Sequence, residues 1–217
     1  MTQKRLAIID YGMGNLHSVA SAIKNVAPDV AVDITAEPNA IAQADHIIFP
    51  GVGAIRDCMS EILRLNVDAI VKQALADGKP VLAVCVGLQA LMERSDENNG
   101  IECLRILPGQ VRRFPSHMKD EAGDELKIPH MGWNRVEQTV DHPLWKNIAN
   151  NSRFYFVHSY YVEASDESQL AGKTHYGLDF TSVLFRDNLF AAQFHPEKSH
   201  TDGLQLLKNF VSWDGKI

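Results

Sequence analysis

The stretch Pro80-Val81-Leu82-Ala83-Val84-Cys85-Val86-Gly87-Leu88-Gln89 decides how the rest of the chain is read. Residues 80–84 are an unbroken apolar run that begins at the turn signal Asp77-Gly78-Lys79-Pro80. So short a run, without polar alternation, predicts a strand buried on both faces. Leu88, Leu91 and Met92 recur at helical spacing just beyond it, so Cys85 falls where a strand turns into a helix. Ala83 and Gly87 flank it in the pattern small-x-nucleophile-x-small, the elbow that G-x-S-x-G builds around serine. An elbow lifts the sulfur above the sheet edge and places it at a helix N-terminus, whose partial positive charge favours thiolate. Taken alone, Cys85 reads equally well as a core thiol. The other two cysteines, Cys58 within an apolar helical pattern and Cys103, read as that plainer case.

Working outward, residues 4–9 predict a first strand, closed by the glycine-bearing turn 11–15. A helix follows from about Asn15, with Leu16, Val19, Ala20, Ile23 and Val26 on one face. Strands are expected at 30–34 and 46–49, the latter ending in Pro50-Gly51-Val52-Gly53, and one or two helices over 55–77. Apolar strands alternating with helices indicate a parallel sheet covered on both faces. Beyond residue 100 the pattern changes to short runs at 110–114, 133–138, 154–157, 160–163, 182–185 and 189–194, then a last helix near 202–213. The expected fold is α/β: a mostly parallel central sheet flanked by helices, with an additional antiparallel sheet, folded as one domain over residues 1–217.

Composition excludes several function classes. The chain has 217 residues, is 45% hydrophobic and carries a formal net charge of -6, so it lacks the basic excess needed to neutralise nucleic-acid phosphates. With no CxxC pair, no secretory signal run and no apolar stretch long enough for a membrane, it reads as a soluble cytoplasmic protein with free thiols. No H-E-x-x-H or close Cys/His cluster points to a metal. The 50–53 turn does not complete G-x-G-x-x-G, and no phosphate loop of the G-x-x-x-x-G-K-[ST] kind exists, so no cofactor is implied.

A thiol attacking an amide needs a base that later serves as acid. Among nine histidines, His195 has the most informative setting, Phe194-His195-Pro196-Glu197 at the end of an apolar strand. Pro196 biases His195 toward extended backbone. If extension continues, period-2 geometry puts Glu197 on the same side to orient the imidazole. By itself His-Pro-Glu also reads as a turn with a solvated glutamate. The oxyanion formed on attack needs aligned donors. The elbow offers the N–H of Val86, and the Gly51-Val52-Gly53 backbone should lie at the same sheet edge. That turn alone reads equally as an ordinary glycine turn.

Cys85-Val86-Gly87-Leu88-Gln89, Pro50-Gly51-Val52-Gly53 and His195-Pro196-Glu197 together resemble the class I glutamine amidotransferase family. Four further runs sharpen the likeness: residues 10–16, 129–134, 155–160 and 193–199. They resemble the glutaminase subunits of imidazole glycerol phosphate synthases. The resemblance implies a thioester mechanism with Cys85, His195 and Glu197 as catalytic residues, and glutamine contacts from Gln89, Glu97, Ser159 and Tyr160. It also implies an exit for ammonia toward a (β/α)8-barrel cyclase subunit, in a heterodimer serving histidine biosynthesis. Trp133, Asn134 and Lys198 would then face that partner. Two positions depart from the family pattern: Ala83 replaces the usual first glycine of the elbow, and Leu88 stands where methionine is common. The polar segment 115–128 is longer than expected and is assigned no role. A glutaminase serving another synthase or a sugar-amidating pathway stays open at this point, as do a non-catalytic relative and another cysteine hydrolase.

Overall fold

The apolar run at 81–84 is a fully buried strand inside a 12-stranded sheet in the computed structural model, which describes residues 3–120 and 122–217. The first half of the chain alternates as its periodicity demands. Strand β1 (Arg5–Ile9) leads to helix α1 (Leu16–Val26), β2 (Ala31–Thr35), α2 (Pro38–Ala42) and β3 (His46–Phe49). Helices α3 (Ile55–Arg64) and α4 (Val67–Ala76) precede β4 (Val81–Val84), and α5 (Val86–Leu91) leaves the elbow. In α3 the buried residues are Ile55, Cys58, Met59 and Ile62, the spacing of one apolar helical face. The 55–77 stretch, expected as one or two helices, is two, divided at Asn66, whose φ of 55° is left-handed, a conformation asparagine tolerates better than most residues.

The second half supplies short strands: β5 (Arg94–Ser95), β6 (Ile101–Glu102), β7 (Gly109–Arg113), β8 (His130–Arg135), β9 (Glu137–Gln138), β10 (Arg153–His158) and β11 (Tyr160–Ala164). After them come β12 (Leu170–His175), β13 (Asp179–Arg186), β14 (Leu189–Ala192) and helix α6 (His200–Ser212). Strands β2, β1, β3, β4 and β14 lie side by side and all pair in parallel. Antiparallel pairing of β13 with β14, and of β11 with β13 and β7, extends the sheet. Strands β8 and β10 form a separate antiparallel ribbon. The α/β reading and its antiparallel second half are as expected.

Helix α2 and strand β12 escaped the sequence, as did the two-residue strands β5 and β6. Helix α2 is a single Pro-initiated turn among alanines, too short to show a period. Strand β12 pairs with both β13 and β9 yet carries Gly172 and Lys173 where apolar alternation should run, and its register shifts on both sides of Gly172. A Cβ at Gly172 would sit 2.9 Å from a methyl of Val136, so close packing of neighbouring strands requires the residue that hides the strand. The polar 115–128 segment folds back on itself, with the N–H of Leu126 donating to the carbonyl of Met118 at 2.8 Å and a bridge between Lys119 and Glu125. Among the described residues no helix is long and apolar enough to cross a membrane.

Candidate active site

Cys85 has φ 57° and ψ −111°, a strained conformation for a residue with a side chain. Neighbouring ladders hold it there. Its N–H donates to the carbonyl of Ala192 at 2.8 Å, and its carbonyl accepts from Gln89 at 3.2 Å. Gly87 is required by contact rather than by dihedral freedom, because a Cβ there would lie 2.1 Å from the carbonyl oxygen of Phe49. Ala83, in place of the family's glycine, is an ordinary fully buried residue of β4 between Phe49 and Ala191, where a methyl group fits.

The sulfur opens into a cavity of about 330 Å³ lined by Val52, Gly53, Val86, Gln89, Glu97 and His195, with Pro129 and residues 157–160 closing the far side. All four residues expected to hold glutamine line it. His195 is 2% exposed; its Nδ1 lies 2.9 Å from Oε1 of Glu197, whose side chain is 1% exposed. The pair forms by a route other than the expected one. Residues 196–198 are a turn of 3-10 helix rather than extended chain, since Pro196 suits the first helical position, and that turn brings Glu197 under the ring. Among the described residues the Nε2 atom has no hydrogen-bond partner of ordinary geometry, and Cys85 is the group whose charge acts on the ring most strongly. Burial pulls the His195 pKa down, but Cys85 and then Glu197 more than offset this and hold it at about 10. The site therefore favours an imidazolium beside Cys85.

Cys58 and Cys103 differ as expected. Burial raises their pKa values to about 11 and about 12, keeping both as unreactive thiols.

The N–H groups expected to bind an oxyanion are not free. The N–H of Val86 donates to the carbonyl of Gly51 at 3.2 Å. In a trans peptide the carbonyl and the following N–H point in opposite directions, so the N–H of Val52 is turned away from Val86. A half-turn of this one peptide would release Val86 and swing the N–H of Val52 toward the elbow. The flanking carbonyls are fixed: Tyr11 Oη donates to Pro50 at 2.7 Å, and Cys58 Sγ lies 3.5 Å from the carbonyl of Val52.

Sequence reasoning assigned no part to Gln193 or His158. Gln193 is fully buried; its Nε2 lies 3.6 Å from Cys85 Sγ, while its Oε1 accepts from Gln89 at 2.9 Å. Both residues sit inside runs that carried the resemblance, yet only the folded register shows what they touch. Outside the cavity, Trp133 stacks on His200 at 4.9 Å between centroids, and the Lys198 ammonium lies 5.8 Å from the Tyr155 ring. Asn134 donates to the carbonyl of His175 at 2.8 Å. No group of three or more His, Cys, Asp or Glu residues suited to a metal occurs among the described residues.

Comparison with known proteins gives the chain a family. Residues 7–213 match the family Glutamine amidotransferase class-I. The chain is 56% identical over 211 residues to imidazole glycerol phosphate synthase subunit HisH 1 of Pseudomonas aeruginosa, covering 97% of this chain and 98% of that protein. It is 56% identical over 210 residues to the HisH subunit of Nitrosococcus oceani, with the same coverage. Among solved structures, the glutaminase domain of Trypanosoma brucei CTPS superposes with a TM-score of 0.65 at 18% identity, covering 96% and 91% of the two chains. A glutamine amidotransferase from Thermotoga maritima gives 0.62 at 14%, covering 91% and 77%. At such identities the structures attest the fold alone.

Proposed function

The chain belongs to the class-I glutamine amidotransferases, and on that premise we propose that it is the glutaminase subunit of an imidazole glycerol phosphate synthase. It hydrolyses L-glutamine and passes ammonia to a cyclase subunit in histidine biosynthesis. Near-complete coverage by relatives of that name supports the assignment. For the chemistry, the observation that carries it is the elbow cysteine beside a buried His195–Glu197 pair at one cavity.

In the proposed mechanism the Cys85 thiolate attacks the side-chain amide carbon of glutamine. His195, held as imidazolium, gives its proton to the departing nitrogen, releasing ammonia and leaving a γ-glutamyl thioester. His195, now neutral, takes a proton from water as that water attacks the thioester. Glutamate leaves and the thiolate–imidazolium pair is restored. Glu197 keeps Nδ1 protonated and the ring aimed at the sulfur. Gln89, Glu97, Ser159 and Tyr160 hold the amino-acid end of the substrate.

Both tetrahedral intermediates need the donors that the Gly51–Val52 peptide withholds in this structure. The free subunit is therefore a poor glutaminase, and the partner's binding supplies the free energy to turn the peptide. The partner is a (β/α)8-barrel cyclase in a heterodimer, docked over Trp133, Asn134 and Lys198, and the pair works in the cytoplasm. The test is glutamate release, with and without the cyclase and its nucleotide ligand, from the wild type and Cys85→Ala. Activity surviving in Cys85→Ala overturns the mechanism, and full activity without a partner overturns the regulated reading.

A further inference from the structure

Behind the cavity lies a pair of buried histidines that the mechanism does not use. His130 and His158 face each other across the β8–β10 ribbon, 3% and 6% exposed. Nδ1 of His130 lies 2.9 Å from Nε2 of His158, and Nδ1 of His158 lies 2.8 Å from the carbonyl of Tyr160. Nδ2 of Asn134 approaches Nε2 of His130 at 3.3 Å. Aromatic rings enclose the pair. His130 stacks on Tyr176 at 4.0 Å and Phe156 at 4.9 Å between centroids, and His158 packs on Phe114 and Phe180 at 5.2 and 5.3 Å.

The protons in this chain can be placed without seeing them. A carbonyl only accepts, so His158 donates from Nδ1. Burial keeps both rings neutral, with pKa values pushed down to about 3 for His158 and about 4 for His130. The Nε2 atom of His158 must then accept, which makes Nδ1 of His130 a donor and Nε2 of His130 an acceptor. That last nitrogen is met by the one group in reach that only donates, the amide NH2 of Asn134. Every link runs in one direction, from Asn134 to the Tyr160 carbonyl.

The two ends of the chain lie in different places. His158, Ser159 and Tyr160 line the catalytic cavity. His130 and Asn134 line a second cavity of about 500 Å³ together with Met131 and Trp133, both exposed. The Tyr160 carbonyl also accepts from Nε2 of Gln89 at 3.1 Å, so the chain ends on the one backbone oxygen that ties Tyr160 to Gln89, both expected to contact glutamine.

We propose that Asn134, His130 and His158 are positioning residues that hold the Tyr160 backbone in its glutamine-binding conformation. The inference rests on the reading of that cavity as a glutamine site. It acts on substrate binding and leaves the attack of Cys85 untouched.

His130→Leu removes the donor to His158, whereas His130→Asn returns an amide donor near the former Nδ1. Assayed as the complex with the cyclase, His130→Leu raises the KM for glutamine about tenfold, the effect of one buried neutral hydrogen bond, with kcat within twofold. His130→Asn restores most of the loss. Iodoacetamide alkylation of Cys85 keeps its wild-type rate in both, a readout that a general loss of packing would move. Histidine 15N spectra show Nδ1–H tautomers for residues 130 and 158. An unchanged KM in His130→Leu, a failure of Asn to rescue, or an Nε2–H tautomer at either ring overturns the inference. A wild-type complex that hydrolyses no glutamine sinks the reading of the site instead, and the tautomers would still be as assigned.

Discussion

Replacing Glu197 by glutamine changes one charge in a pair that is almost entirely out of water. The wild-type contact is 2.9 Å from His195 Nδ1 to Oε1, with side-chain exposures of 3% and 1%. A hydrogen bond to a charged group contributes about 1.5–3 kcal/mol, roughly twice a neutral one. Glutamine keeps the acceptor and removes the charge, so about 1–2 kcal/mol of imidazolium stabilisation is lost. The imidazolium is the acid for ammonia departure, which makes this a loss of about fivefold to thirtyfold in kcat, with KM unchanged because Glu197 does not line the cavity. The pH profile moves as well. His195 works protonated in that step, and its pKa of about 10 falls when one of the charges raising it is deleted. Activity therefore begins to fail at lower pH than in the wild type. The assay is glutamate release by the complex with its cyclase between pH 6 and 10. A kcat within threefold of wild type together with an unmoved alkaline limb refutes the role given to Glu197.

Val52→Pro deletes the N–H that the turned peptide would present, and kcat should fall about 10²–10³-fold in the complex while glutamine still binds; near-normal kcat would mean that Val52 is not a donor. Gly87→Ala puts a methyl against the Phe49 carbonyl and should destabilise the protein by about 1–3 kcal/mol, read as a lower denaturant midpoint at unchanged slope; equal stability would mean the elbow is looser than its geometry implies. Acid should weaken the fold through the buried neutral histidines. Burial lowers the pKa of His142 to about 4 from an unfolded value of about 6.5, so the unfolded chain binds the extra proton and stability drops from pH 6.5 toward 4. For His142 alone the loss is about 3 kcal/mol, and denaturation curves for His142→Asn, which keeps an acceptor for the N–H of Leu144, should be flatter over that interval. An unaltered acid slope would contradict the assignment.

Much of the first half of the chain was legible because its signals are local. The α3 face repeats at helical spacing, β1, β3 and β4 are short continuous apolar runs, and the turn at 77–80 is written in Gly and Pro. The elbow was legible for the same reason: a strand, a nucleophile and a small residue within five positions specify a backbone turn through near-neighbour sterics. Strand β12 was not, because Gly172 answers to Val136 across the sheet rather than to its own neighbours.

For the candidate site, sequence by itself singled out Cys85, His195 and Glu197, the residues proposed as nucleophile, base and orienting acid, along with the family to which their order belongs. Tertiary structure alone decided how they stand: Glu197 reaches His195 through a 3-10 turn, Gln193 touches a sulfur 108 positions away, and His130 meets His158 across 28. It alone showed that the N–H of Val86 is already engaged by Gly51. Propensity and periodicity are properties of adjacent residues. Hydrogen bonds across strands, the exclusion of water that sets histidine charge, and the direction of one peptide plane depend on groups brought together only by packing.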